Sequence, residues 1–243
     1  MGYREKIYKN YSSKRTGVLA PESVSGFKSR EPYLLKIIKE HFPANKNAEI
    51  LELGCGYGAF QFYIQQAGYT TSTGIDGSEE QVKEAHRLGM HNIRFANLVD
   101  YIKDMQDSSV DLLIVFDVIE HFNKTELSDL ADVFYRVLKK GGKIICHAPN
   151  AESPFGSFMR SWDFTHEIAF TRQSIAQLFL SSGFSNVRTY EDKPIPHGAK
   201  SFIRYILWEY FIRKLYRFLI IVESGGCDKE AIFSQNFLAI ITK

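Results

Sequence analysis

A doubly wound α/β domain, a parallel sheet with crossover helices on both faces, is the fold this sequence predicts. Three observations point to it. Short apolar runs alternate with amphipathic stretches between residues 50 and 149. A glycine-rich turn follows the first run, and the second run ends on an acid, Asp76. Alternation of this kind implies parallel strands joined by helices.

The elements follow in order. Residues 1–28 are polar, with scattered Ser, Gly and Pro, and read as an arm or lid with one short helix. Residues 30–42 place Leu34, Leu35, Ile37, Ile38 and Phe42 on one helical face, stopped by Pro43. Ile50–Leu53 is a first strand, Gly54–Gly58 a turn, and Ala59–Ala67 a helix closed by Gly68. Thr70–Ile75 is a β-branched strand. A helix over Ser78–Leu88 has Ser78 as N-cap and Gln81 as its box partner. Ile93–Ala96 is a third strand. Val110–Phe116, almost continuously apolar, is a fourth that is covered on both faces. A helix over Thr125–Leu138 ends at Gly141-Gly142, and Lys143–Ala148 is a fifth strand. Then come a helix over Ile175–Ser182, a strand over Asn186–Tyr190, an aromatic-rich stretch over 202–222, and a closing strand over Phe237–Thr242.

The expected organisation is an arm at 1–28 and one domain at 29–243, with insertions near 150–172 and 191–235. Loops at the carboxyl ends of strands build sites in such folds, so acceptor specificity belongs to these insertions and the arm. A chain of 243 residues, 44% hydrophobic and 24% charged, can bury a sizeable core. A net charge of +2 gives no basis for nucleic-acid binding. Cys55, Cys146 and Cys227 are too few and too scattered for a disulfide framework or a zinc site, and suit a reducing, cytoplasmic compartment. The lysine-rich start lacks a secretory signal, and charges interrupt the longest apolar stretch, so no membrane span is expected.

The segment Ile-Leu-Glu-Leu-Gly-Cys-Gly-Tyr-Gly at 50–58 carries the chemistry. Glycines allow positive φ and let a ligand lie against bare backbone. Asp76, 22 residues after Gly54, can accept hydrogen bonds from ribose hydroxyls. A dinucleotide site needs G-x-G-x-x-G around a pyrophosphate. Here the third glycine comes one residue early and Glu52 precedes the loop. A carboxylate repels a pyrophosphate and attracts an ammonium and a sulfonium. The loop therefore favours S-adenosylmethionine over NAD.

Residues 49–149 resemble the class I S-adenosylmethionine-dependent methyltransferases. Glu52, Gly54, Gly56 and Gly58 match their first motif, and Thr-Gly-Ile-Asp-Gly-Ser (73–78) their second. Asp117-Val-Ile-Glu-His121 resembles the loop after their fourth strand. The resemblance implies a Rossmann-like sheet of seven strands with the last antiparallel. It implies a cofactor shell of Glu52, Gly54, Cys55, Gly56, Gly58, Asp76, Gly77, Asn97, Leu98, Asp117 and Val118. Asp76 would hold the ribose, and Asn97, Leu98 and Asp117 would frame the adenine. Asn97 stands where an acid often meets the adenine amine, which keeps an acceptor without the charge.

For the acceptor, the loop at 117–121 lacks the prolines of adenine-N6 enzymes, and no cysteine follows a proline as in cytosine-C5 enzymes. Transfer to a hydroxyl needs in-line alignment and removal of a proton. His166 is the first candidate base and His121 the second, with Asp163 and Glu167 as carboxylates to hold the imidazole of His166. His147, inside a strand, reads as a satisfied core residue. A divalent ion on Asp163, His166 and Glu167 fits no metal signature, and no metal is expected.

The segments 147–156, 163–171 and 234–237 also resemble bacterial methyltransferases found with surface-polysaccharide biosynthesis. That resemblance implies a sugar hydroxyl, with a lipid-linked glycan as one form of acceptor. A quinone or small phenol is the alternative acceptor, and a catalytically idle cofactor-binding partner of a glycan or lipid assembly is the alternative of another class. As a helix, 202–222 puts Leu207, Trp208, Phe211, Ile212, Leu215, Phe218, Leu219 and Val222 on one face. Glu209, Arg213, Lys214 and Arg217 lie opposite. Three occupants of the apolar face remain open: the chain's own domain, a second copy in a homodimer, or the inner face of a membrane.

Overall fold

A computed structural model describes residues 3–8 and 20–243. Most of the arm expected at 1–28 therefore lies outside the described residues. A short helix, α1 (Tyr3–Tyr8), is described, as is a 3-10 turn at Val24–Ser29. After α2 (Glu31–His41), strands and helices alternate: β1 (Ile50–Leu53), α3 (Ala59–Gln66), β2 (Ser72–Asp76), α4 (Glu79–Arg87), β3 (Ile93–Phe95), α5 (Leu98–Lys103) and β4 (Val110–Phe116). Then come α6 (Lys124–Val137), β5 (Leu138–Pro149), α7 (Gly156–Ser161), α8 (Arg172–Ser181) and β6 (Asn186–Glu191). The chain closes through α9 (Ala199–Leu207), a π-helical turn at Trp208–Ile212, α10 (Arg213–Ser224) and β7 (Asn236–Thr242).

One seven-stranded sheet runs in the order β3-β2-β1-β4-β5-β7-β6, with β7 antiparallel to both neighbours. The period of two along each strand explains the double winding. In β4, Leu113 and Val115 pack on the face covered by Leu127, Leu130 and Phe134 of α6. Leu112 and Ile114 pack on the opposite face, against Ile37 of α2 and Phe60 and Ile64 of α3. Both faces are covered, so every residue from Leu112 to Val115 is buried.

The chain winds outward from β1 to β3 and then returns to set β4 against the other edge of β1. That reversal opens a crevice between the carboxyl ends of β1 and β4, the position where ligands bind in such sheets. Glu52 and Gly54 flank it on one side, and Asp117 and Val118 on the other.

Two boundaries differ from expectation for a packing reason. α6 stops at Val137, before Gly141-Gly142, because Leu138 is fully buried in extended conformation and pairs with Val110. The glycine pair then lies in a register shift within β5, where Leu112 next pairs with Lys143. The box at Ser78 is only half formed: Ser78 Oγ accepts the Gln81 N–H at 3.5 Å, and no return bond from the Gln81 side chain accompanies it. A closed box instead caps α6, where Asn123 accepts from Glu126 N at 3.0 Å and the Glu126 carboxylate accepts Asn123 N at 2.8 Å. Asn123→Ala should lower stability by about 1 kcal/mol, read as a shifted urea midpoint at unchanged slope.

Candidate functional site

The loop after β1 is held in a shape that only bare backbone allows. Gly54 has φ of 72°, and a Cβ there would stand 2.4 Å from Val118 Cγ2. Gly58 has φ of 87°, and a Cβ would meet Ile93 Cδ1 at 2.6 Å. Asp76 fastens the loop from below: Oδ2 accepts the Gly56 N–H at 2.7 Å and Oδ1 accepts the Ser78 N–H at 2.8 Å. Each oxygen keeps a second lone pair, so a ribose hydroxyl can still be accepted.

Glu52 lies buried under the loop and accepts from Gln61 Nε2 at 2.8 Å. Burial raises its pKa to about 7, although the Gln61 donor and the charge of Arg30 pull the other way. Burial likewise holds the Cys55 thiol well up, so Cys55 serves as a small filler against Gly74 and not as a thiolate. These residues fit a cationic nucleoside: bare main chain above, and carboxylates beneath that a positive charge would favour in ionised form.

The adenine side departs from expectation at one residue. Asn97 caps α5, and its Oδ1 accepts from Val99 N at 2.9 Å and Asp100 N at 3.2 Å. Both lone pairs are used, which leaves the Asn97 amide NH2 and not the expected acceptor. A Cβ on Gly77 would meet the Ala96 carbonyl oxygen at 4.0 Å, an ordinary contact, and Leu98 packs on the core edge.

Asp117, at the end of β4, adopts φ of 55°, an unusual conformation for a residue other than glycine. Its Oδ1 lies 2.5 Å from His147 Nδ1, and Asp192 Oδ2 lies 3.3 Å from Nε2. His147 also stacks on Phe116 at 4.6 Å between centroids. Burial works to lower the His147 pKa, but the two carboxylates outweigh it and hold the ring up at about 10. His147 is thus a buried cation tying together β4, β5 and the segment after β6.

The candidate acceptor residues converge, though not as the sequence pairs them. His121 ends a 3-10 turn, Ile119–His121, just after β4. His166 arrives from the loop after β5, and the two rings lie 4.9 Å apart. Asp163 does not hold His166. It accepts from Thr165 Oγ1 at 2.7 Å, and that hydroxyl is 2.8 Å from His121 Nδ1. His166 Nδ1 is 2.9 Å from the Met159 carbonyl, and the carboxylate nearest its Nε2 is Glu120, at 4.0 Å. Glu167 accepts from the Tyr3 hydroxyl. Burial lowers the His121 pKa to about 4.

Helix α1 lies over this cluster. Arg4 pairs with Glu126 at 2.6 Å, and the Tyr8 ring lies 6.2 Å from that of His121. A cleft of about 460 Å³ opens beside it, lined by Lys124, Arg160 and Glu167 among others. Sequence reasoning missed Glu120, Thr165 and Asp192. Glu120 and Thr165 sit next to candidates that were read, but nothing in their spacing reveals that they meet.

The His147 pairing has a pH consequence. Its folded pKa near 10 exceeds the unfolded value of about 6.5. The stabilisation is therefore complete below pH 6.5 and fades as pH rises through 10. Melting temperature should fall between pH 7 and 10. His147→Asn should flatten that dependence, modestly because Asp117 is half exposed.

A methyltransferase domain family model matches residues 27–189. Phosphoethanolamine N-methyltransferase 3 of Arabidopsis thaliana is 26% identical over 196 residues, which cover 75% of this chain and 39% of the relative. A ubiquinone biosynthesis O-methyltransferase of Rickettsia bellii is 28% identical over 115 residues, 46% of this chain and 47% of the relative. The chain thus spans less than half the length of these relatives. Among solved structures, an Archaeoglobus fulgidus SAM-dependent methyltransferase superposes with a TM-score of 0.65 at 21% identity, covering 90% of this chain and 97% of the other. Haemonchus contortus phosphoethanolamine N-methyltransferase 2 in complex with S-adenosyl-L-methionine gives 0.61 at 16%, covering 97% and 59%. At these identities the structures establish the fold. The family match spans well over half of the sequence and supplies the rest: the chain belongs to the methyltransferase domain family.

Proposed function

We propose that this chain transfers the methyl group of S-adenosylmethionine to a hydroxyl of a lipid-linked acceptor, a surface glycan in the first instance. The observation that carries this reading is the His121–His166 pair at the carboxyl end of the sheet, beside the cofactor crevice. A hydroxyl ionises only far above neutral pH and must be activated before it attacks. Each imidazole has Nδ1 engaged and Nε2 left to face the site. In this reading Glu52, Gly54, Gly56, Gly58 and Asp76 hold the cofactor, and His166 and His121 activate the acceptor.

The insert between β6 and β7 favours a lipid-borne acceptor. It leaves the carboxyl end of β6 and returns to the start of β7, so it borders the same edge of the sheet. Its polarity is reversed from that of a helix docked by its apolar side. Glu209 and Arg213, read from the sequence as lying opposite the apolar face, turn inward: Lys193 pairs with Glu209 at 3.1 Å, and Arg213 with Glu191 at 3.1 Å. Phe202, Phe211, Leu215, Phe218 and Val222 point out, each more than half exposed. The apolar face is therefore not packed on its own domain. Exposed Lys200, Arg204 and Lys214 stand along it, which suits anionic headgroups. No helix among the described residues is long and apolar enough to cross a membrane.

Four measurements test this. Asp76→Ala should weaken S-adenosylmethionine binding by calorimetry, whereas His166→Ala should leave binding intact and depress turnover with a lysate glycolipid fraction. Unchanged turnover in His166→Ala would discard its assignment, and no conversion of cofactor by the wild type would favour an idle binding partner. Cofactor affinity should fall as pH drops through about 7, where Glu52 takes up a proton, and Glu52→Gln should remove that slope. Anionic vesicles should sediment the protein, and Phe211→Glu with Phe218→Glu should abolish this. A dimer in solution that these changes dissociate would assign the face to a second copy instead.

A further inference from the structure

Glu120 makes the junction between the two loops of the acceptor side. Its backbone carbonyl accepts from Glu167 N at 2.8 Å and Ile168 N at 3.3 Å, which fastens the loop after β5 to the turn after β4. Its side chain is 1% exposed, and its Oε2 is buried without a hydrogen-bond partner. A buried carboxylate oxygen in that state costs free energy that a water, a proton or an ion would relieve.

The surrounding hydrogen bonds decide what faces it. Thr165 Oγ1 donates to the Asp163 carboxylate, so it must accept from His121, which places the proton of that ring on Nδ1. The Met159 carbonyl can only accept, which places the proton of His166 on Nδ1 as well. Both Nε2 atoms are then bare lone pairs. The donor atoms of Glu120, His121 and His166 lie within 4.8 Å of one another. Two imidazole lone pairs and a carboxylate thus converge, and among the described residues no donor bonds Glu120 Oε2. A single proton on Glu120 could satisfy one nitrogen and would leave the other facing it.

We propose that Glu120, His121 and His166 bind one divalent first-row transition-metal ion. Two neutral imidazoles and one carboxylate form a borderline donor set, suited to manganese, cobalt or zinc, whereas magnesium and calcium prefer oxygen alone. Thr165 with Asp163, and the Met159 carbonyl, are the outer partners that orient such histidines and fix their tautomers. Bonds of about 2.0–2.2 Å require donors roughly 3–3.5 Å apart. His166 Nε2 and Glu120 Oε1, at 4.0 Å, would close by about 0.5–1 Å on binding an ion.

Three protein ligands leave positions open for an acceptor. The role of the ion in catalysis rests on the function proposed above, whereas its binding does not. An acceptor hydroxyl bound to the ion loses its proton to solvent at lower pH. Its oxygen then forms the bond to the methyl carbon as the carbon–sulfur bond breaks, and the electron pair goes to sulfur to give S-adenosylhomocysteine. His166 acts here as a ligand and not as the proton acceptor.

The test titrates Mn2+ into chelator-treated full chain by calorimetry, and Co2+ with its visible d–d absorption as readout, without any acceptor. One ion per chain is expected, with Mg2+ unable to displace it at equal concentration. Glu120→Gln and His166→Gln should abolish stoichiometric binding while S-adenosylmethionine affinity stays at the wild-type value, which shows that the variants fold. Thr165→Val should weaken the ion by about 10–100-fold. Absence of stoichiometric Mn2+ or Co2+ in the wild type, or binding that survives Glu120→Gln and His166→Gln, would overturn the site. Ion binding in a protein that methylates no glycolipid leaves the site standing and removes the acceptor reading. Methyl transfer undiminished by chelation removes the ion and leaves the methyltransferase.

Discussion

A buried imidazolium anchors the carboxyl edge of this sheet. His147 sits between Asp117 and Asp192 and stacks flat on Phe116, so one charge joins the end of β4, the middle of the edge and the start of the insert after β6. Isolated, such a charge would be expelled or neutralised. Paired on both nitrogens, it remains charged and fixes where Asp117 points. Asp117 in turn accepts a left-handed backbone, a conformation that persists only where the surroundings over-determine it. The same turn carries Val118 under Gly54 and delivers Glu120 and His121 to the acceptor side. The cofactor crevice and the acceptor cluster are therefore two outcomes of one constrained segment of five residues, 117–121.

The two halves of that edge differ in how their polar groups are satisfied. Under the cofactor loop, Glu52 and Asp76 have donors from the protein itself, Gln61 in one case and backbone N–H groups in the other. The loop is thereby pre-shaped before a nucleoside arrives, which reduces the ordering that binding would otherwise require. On the acceptor side the balance is opposite. Acceptors outnumber donors around Glu120, and the order there comes from the outer hydrogen bonds through Thr165 and Met159. Helix α1 adds a third contact, through Tyr3 on Glu167 and Arg4 on Glu126, and ties the start of the described chain to the loop after β5 and the first turn of α6.

The insert α9–α10 shows how a helical pattern can be legible while the side it turns inward is not. Its period separates apolar from charged residues, as the sequence indicates. Which side faces inward depended on Glu191 and Lys193, located on another segment, because an inward Arg213 and Glu209 need partners there. No periodicity within the helix contains that information. Glu120 was obscure for a related reason. It lies one residue from His121 in the sequence, but its importance follows from the approach of His166, 46 residues away, and from an Oε2 with no hydrogen-bond partner among the described residues.

Local pattern was sufficient wherever the deciding physics is local. Alternating burial along strands, a glycine turn with an acid before it and Asp76 behind it are set by backbone sterics and by residues within one βαβ unit. The sequence by itself therefore determined the doubly wound sheet and the glycine cradle with its two carboxylates. Tertiary structure alone decided which carboxylate meets which imidazole: Asp117 with His147, Asp163 with His121 through Thr165, and Glu120 with His166. Those pairings join loops from different strands, and their distances exist only after the sheet has brought the carboxyl ends of β4, β5 and β6 to one edge.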